Sequence, residues 1–178
     1  EDMFELAPVS LWLEDYSALK QLFDRWRAEG VEDLRAHLSG HPERTAEERA
    51  LVDAIRIADG IVIGSPGYHG GYSGLVKNAI DLLEDLRGDS RIYFDGRPVG
   101  LIVTAAGWQA CGTTLSALRD DIHAMRGWPT PVGVAVNSVE QRPFDADGAL
   151  CDEGVANAVR AQARQIMHFA MEDAACSA

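Results

Sequence analysis

Apolar runs and helix-periodic segments alternate along the chain. Buried strands are predicted where short apolar stretches, mostly β-branched, lack polar alternation, at 61–63, 99–103 and 132–136, and a further short strand is predicted at 3–6. Helices are predicted where apolar residues recur every three to four positions, at 16–28, 46–58, 74–86, 113–125 and 155–171. This alternation is typical of an α/β fold with a parallel sheet.

Polar residues mark several helix ends. Thr45 with Glu48 has the spacing of a capping box, and Ser73 is a plausible N-cap for the helix that follows it. Gly30 is expected to end the first helix, and turns are predicted at 95–98 and 144–148.

A glycine-dense loop follows the 61–63 strand and runs directly into the helix that Ser73 begins. Gly64 is expected to turn the backbone sharply, after which Ser65 and Pro66 form an extended exit. The loop's other glycines remove side chains, which lets backbone amides face a ligand: Gly67, Gly70, Gly71 and Gly74. Because open α/β sheets bind ligands at the carboxyl ends of strands, the loop predicts a ligand-binding wall; a turn that serves only the fold is the alternative.

A second glycine-bearing loop, 104–114, also lies between a strand and a helix, so it should share that sheet edge. Trp108 in this loop would cover a planar ligand, contact another subunit or cap the core. Cys111 is interpreted as a small packing residue, since no partner for a reactive thiol can be assigned from the sequence.

Hydrophobic content, net charge and cysteine number argue against several classes of protein. The chain has 178 residues, 47% of them hydrophobic, which predicts one domain with a substantial core. A net charge of −12 repels phosphate backbones and anionic lipids, which argues against nucleic-acid and membrane partners. The scattered cysteines Cys111, Cys151 and Cys176 predict neither a disulfide framework nor a metal site. Without a visible signal peptide or membrane span, a cytoplasmic location is expected.

The segments 65–70 and 73–81 resemble the signature of the NADPH-dependent FMN reductase family, and 96–99 and 106–107 resemble its next motifs. The resemblance extends over about 3–137. It implies a single flavodoxin-like domain over 1–178, a doubly wound parallel sheet that binds FMN and uses NADPH or NADH. By the same resemblance, a first wall of the flavin site would consist of Pro66, Gly67, Tyr68, His69 and Gly70. A second wall would consist of Ala106, Gly107 and Trp108.

Three departures from the family pattern stand out. Gly67 occupies a position that is commonly glutamate in the family, and His69 one that is commonly asparagine. The phosphate-binding loop that follows the family's first strand has no counterpart in this sequence. In a flavodoxin-like strand order 2-1-3-4-5, this would leave a gap beside the 61–63 strand. We therefore expect about 30 to 40 further residues upstream, enough for one strand, loop and helix.

The function that the resemblance implies is hydride transfer from NADPH through FMN to a flavin, quinone or similar small acceptor. No catalytic side chain is predicted, because the cofactor carries the redox chemistry. The resemblance further implies a homodimer or homotetramer, and it leaves a partner monooxygenase open as an acceptor. Two alternatives are a flavodoxin-type electron carrier and a flavin-fold interaction protein without activity.

Overall fold

The computed structural model describes residues 24–33 and 45–176, with side chains described through residue 171. Contacts divide the chain into two compact units, Glu1–Glu43 and Arg44–Ala178. In the first unit, residues 24–28 are helical, and Gly30 follows them with a φ of +84°, as its predicted role in ending the helix requires. The predicted 3–6 strand and the start of the 16–28 helix lie outside the described residues. The expectation of a single domain over 1–178 stays a prediction.

The described part of the second unit alternates strands and helices. Its helices are α1 (Ala46–Ile57), α2 (Gly74–Leu82), continued by a 3-10 turn (Leu83–Leu86), α3 (Trp108–Ala124) and α4 (Glu153–Cys176). Its strands are β1 (Ile61–Tyr68), β2 (Gly71–Tyr72), β3 (Pro98–Ala105), β4 (Trp128–Pro129) and β5 (Val134–Asn137). Over residues 24–33 and 45–176, no helix is both long and apolar enough to cross a membrane.

Two predicted N-caps are confirmed. The Thr45 hydroxyl accepts a hydrogen bond from the Glu48 amide, and the Glu48 carboxylate accepts one from the Thr45 amide, which completes the capping box. Ser73 Oγ accepts from the Val76 amide at 3.2 Å and begins α2. Caps whose side chain bonds the amide three positions later can thus be predicted directly from sequence spacing.

Strand β3 lies at the centre of the sheet. It pairs in parallel with β1, from Ile61↔Val99 to Pro66↔Thr104, and on its other side with β4 and β5, also in parallel. Strand β2 is antiparallel to β1. Buried valines and leucines of β3 pack against α2 and α3, whereas α4 covers the second face through Val155 and its neighbours. The predicted α/β fold with a mostly parallel, doubly covered sheet is therefore confirmed.

One long edge of β1 carries no strand partner within the described residues. Over 61–66, β1 pairs only with β3 there, and Val62 is 55% exposed. An apolar groove of about 340 Å³ runs beside it between α1 and α2, lined among others by Leu51, Ile55, Val76 and Ile80. From the sequence, a further strand is expected at this edge, and its presence stays a prediction.

Several predicted boundaries were wrong. Strand β1 does not end at 63, and Gly64 makes no turn, because pairing with β3 holds the chain extended beyond it. Helix α3 begins at Trp108 and not at Thr113, since extended Gly107 serves as its N-cap and its carbonyl accepts from the Cys111 amide at 3.1 Å. The predicted 132–136 strand is β5 at 134–137, and α4 extends past 155–171 at both ends.

Candidate functional site

The predicted site residues lie where β1, β3 and β5 end, at one edge of the sheet. We call this region the carboxyl edge and define it as residues 65–73, 105–110 and 137–141. It combines the first predicted wall, the second predicted wall and a turn after β5 that sequence reasoning missed. Parallel strands necessarily bring these segments together, because their carboxyl ends point the same way.

The first wall is a hairpin and not an open loop. Gly67 pairs with Tyr72, and Tyr68 with Gly71, so His69 and Gly70 form a two-residue turn. Both turn residues have positive φ, 48° and 90° respectively, as a type I′ turn requires. Histidine tolerates this backbone region better than most residues, as asparagine does. The structure thus places Tyr68, His69 and Gly70 at an exposed hairpin tip.

Because Gly67 has no side chain, the hairpin packs directly against helix α3. A Cβ at this position would lie 2.9 Å from Thr114 Oγ1, 3.1 Å from the Ala105 Cβ and 3.3 Å from the Ala110 carbonyl oxygen. The larger side chain common at this position in the family would need the helix or the hairpin to shift. The Thr114 hydroxyl is fully buried and has no hydrogen-bond partner among the described residues.

Two hydroxyl groups anchor the hairpin. Buried Ser65 Oγ accepts from the Ser73 amide at 3.0 Å and donates to the Pro66 carbonyl at 2.9 Å. The Tyr72 hydroxyl donates to the Asp121 carboxylate on α3. Burial, reinforced by that hydrogen bond, raises the pKa of Tyr72 to about 12. Sequence reasoning found neither anchor; for Tyr72 no local signal exists, because its partner lies 49 positions away.

The second wall is the start of α3. Extended Gly107 provides no side-chain cap, so the first amides of the helix find no capping side chain. Ala106 is exposed and Gly107 half-buried. These open donors, together with the helix dipole, give this end of α3 a partial positive charge. Such an end suits an electron-rich or anionic ligand group.

Trp108 links the second wall to the turn after β5. Its indole Nε1 donates to Glu140 Oε2 at 2.8 Å, and the side chain is 48% exposed. Ligand cover, a subunit contact and capping of the core all stay predictions for this side chain. Cys111 behaves as predicted for a packing residue: it is buried, and its thiol donates to the Val136 carbonyl at 3.4 Å.

The carboxyl edge fits the ring half of FMN. Gly67 lets the hairpin pack tightly on α3, whose first amides have no side-chain cap. Exposed Tyr68 and Trp108 add aromatic surface on either wall. Backbone donors and aromatic faces are what a planar isoalloxazine with a polar edge requires.

Fold and edge together define an open, doubly wound α/β protein of flavodoxin-like architecture. The family model for NADPH-dependent FMN reductases matches residues 13–141, and the chain belongs to that family. It is 29% identical over 153 residues to an FMN-dependent NADPH-azoreductase from Staphylococcus aureus, covering 86% of this chain and 64% of the relative. The chain thus spans slightly less than two thirds of the length of the curated relatives it matches.

Solved structures share the fold. An oxidoreductase from Corynebacterium diphtheriae superposes with a TM-score of 0.59 at 22% identity, covering 82% of this chain and 72% of that one. The flavodoxin, WrbA-like protein from Agrobacterium tumefaciens gives a TM-score of 0.52 at 21% identity, covering 72% of this chain and 74% of that one. At these identities the likeness concerns architecture only.

Proposed function

We propose that the protein is a flavin-dependent NAD(P)H oxidoreductase that passes hydride from NADPH through FMN to a flavin, quinone or similar small acceptor. The observation that carries this proposal is the hairpin seated at Gly67 against the uncapped start of α3. Family membership supports it. Assembly as a homodimer or homotetramer remains an expectation from the resemblance, and a cytoplasmic location remains an expectation from the sequence pattern.

Each wall contributes a different kind of contact. Pro66, Gly67 and Gly70 offer backbone close to the ring, while the amides at the start of α3 offer hydrogen-bond donors. Bound FMN would supply the hydride chemistry itself. The protein's task is then to orient the ring and exclude water, so no general acid or base is needed among its side chains.

The acceptor is proposed to be small and planar. Tyr68 and Trp108 are 61% and 48% exposed, which leaves aromatic faces available for stacking at the mouth of the proposed site. The azoreductase relative supports azo compounds as one acceptor class beside quinones and free flavins. His69 is exposed at the hairpin tip and is given no catalytic role.

Anaerobic reduction tests the proposal. The purified protein is loaded with FMN, mixed with NADPH and followed by its visible flavin absorbance. Rapid bleaching, then recovery when a quinone or azo dye is added, is expected of the oxidoreductase. A bound flavin that NADPH leaves oxidised would contradict the oxidoreductase and favour the electron carrier. Failure to take up FMN would favour the interaction protein.

A further inference from the structure

The Trp108 indole is hydrogen-bonded to Glu140, which lies in the turn after β5. At the first position of α3 and 48% exposed, this side chain would otherwise exchange between rotamers. Its Nε1–H instead donates to Glu140 Oε2 at 2.8 Å. Because the acceptor is a carboxylate, this is a charge-assisted bond, stronger than one between neutral groups. The bond therefore selects one orientation of the ring.

Glu140 is presented by a turn that is fixed to the sheet. Asn137, the last residue of β5, is only 1% exposed, and its Oδ1 accepts from the amides of Val139 and Glu140 at 3.0 and 3.1 Å. The Asn137 amide in turn donates to Gln141 Oε1 at 2.9 Å. Four residues are thus tied into one small network at the end of a buried strand. The carboxylate approaches Trp108 from a backbone with little freedom to move.

We propose that Glu140 is a positioning residue for the cofactor site: it holds the Trp108 indole in the orientation that completes the second wall. The inference rests on the proposed function, because it takes Trp108 to line the flavin. A ring that is already ordered loses less conformational entropy when the ligand arrives, which tightens binding without any new ligand contact.

Flavin affinity in a double-mutant cycle tests the proposal. The Kd for FMN is measured by flavin-fluorescence quenching in wild type, Glu140→Ala and Glu140→Gln, and again with Trp108→Phe added. Glu140→Ala is expected to weaken binding about fivefold, whereas Glu140→Gln, which keeps an acceptor oxygen, stays within about twofold. In the Trp108→Phe background, which lacks the indole donor, Glu140→Ala should have no further effect.

The neighbour Val139 provides a matched control. Its side chain is 70% exposed in the same turn, so Val139→Ala tests whether any change in that turn disturbs the site. We expect it to bind FMN as wild type does. Equal weakening by Val139→Ala, or an undiminished effect of Glu140→Ala in the Trp108→Phe background, would overturn the proposal.

A second readout needs no flavin. In protein labelled with ¹⁵N-tryptophan, the Trp108 indole N–H signal is assigned by its loss in Trp108→Phe. It should shift in Glu140→Ala and stay near its wild-type position in Val139→Ala; an unmoved signal in Glu140→Ala overturns the proposal. If the indole signal moves but wild type binds no FMN, the proposed function fails and Glu140 has no cofactor to serve. If wild type binds FMN with a Kd that Glu140→Ala leaves unchanged, only the positioning role fails.

Discussion

The two ends of β3 differ in how the backbone groups beside them are hydrogen-bonded. At its amino end, buried Arg97 donates to three backbone carbonyls, those of Arg56, Ala58 and Tyr93. At its carboxyl end, Gly107 leaves the start of α3 uncapped, and Trp108 is half exposed. One end has its acceptors satisfied by a single side chain, whereas the other keeps backbone donors open.

The amino end of β3 is therefore expected to contribute to stability, and its carboxyl end to ligand binding. Burial lowers the pKa of Arg97, and its hydrogen bonds offset part of the free-energy cost of desolvating the guanidinium. Amides without a side-chain cap at the carboxyl edge can instead bind a ligand group. We therefore expect substitutions at the amino end to act on folding, and those at the carboxyl edge to act on FMN binding as well.

Arg97→Met should give the largest loss of stability. Removing the guanidinium leaves three carbonyl groups without their donor, which is expected to cost roughly 3 kcal/mol in the free energy of unfolding, measured with urea. Arg91→Met is the control, because Arg91 is partly exposed and pairs with Asp59 at 3.1 Å, so a loss below about 1 kcal/mol is expected. Similar losses in both variants would contradict the comparison.

Gly67→Ala should affect both stability and binding. The added Cβ would meet Thr114 Oγ1 at 2.9 Å, and we expect a loss of about 1 to 3 kcal/mol in unfolding free energy, with FMN binding at least roughly tenfold weaker. Adding Thr114→Ala removes the nearest atom and should restore part of both. Gly112→Ala, whose Cβ meets nothing within 4 Å in α3, should instead stabilise by about 0.5 to 1 kcal/mol. Equal changes in unfolding free energy at the two glycines would contradict tight packing of Gly67 on α3.

Tyr72→Phe should cost about 1 kcal/mol near pH 8, because the Asp121 carboxylate loses its donor. The pKa of Tyr72 is about 12, whereas a free tyrosine has about 10. The folded protein therefore binds more protons than the unfolded chain between these values, and stability falls as pH rises through that window. The advantage of wild type over Tyr72→Phe should be fully present below pH 10 and shrink above it, as urea midpoints would show. A constant difference across the alkaline range would contradict the assignment.

Thr114→Val should have the smallest effect and the opposite sign. It removes a buried hydroxyl that has no partner in the described part of the chain, and a gain of roughly 0.5 to 1 kcal/mol is expected. Thr130→Val is the matched control, since the buried Thr130 hydroxyl donates to the Val132 carbonyl at 2.8 Å. Thermal unfolding should move up for the first variant and down for the second. A fall in both would show that the Thr114 hydroxyl is paired in solution.

Local signals predicted much of the fold. The capping box at Thr45, the Ser73 cap and the existence of β1, β3 and β5 were readable, because each depends on residues within a few positions of one another. The start of α3 was not, since a helix with Gly112 near its beginning has a weak propensity signal and is held by the buried Cys111. Pairing with β3 likewise extended β1 through Gly64, where a sharp turn was predicted.

From the sequence alone it was clear that a glycine-rich segment follows a buried strand and that its motif resembles the FMN reductase family. The contacts that hold the site together depend on tertiary packing: Tyr72 bonds Asp121 across 49 positions, and Trp108 bonds Glu140 across 32. Such pairs depend on strand order and helix packing, which no short window of sequence encodes. Spacing can predict a cap three residues away, but only the folded sheet brings distant side chains to one edge.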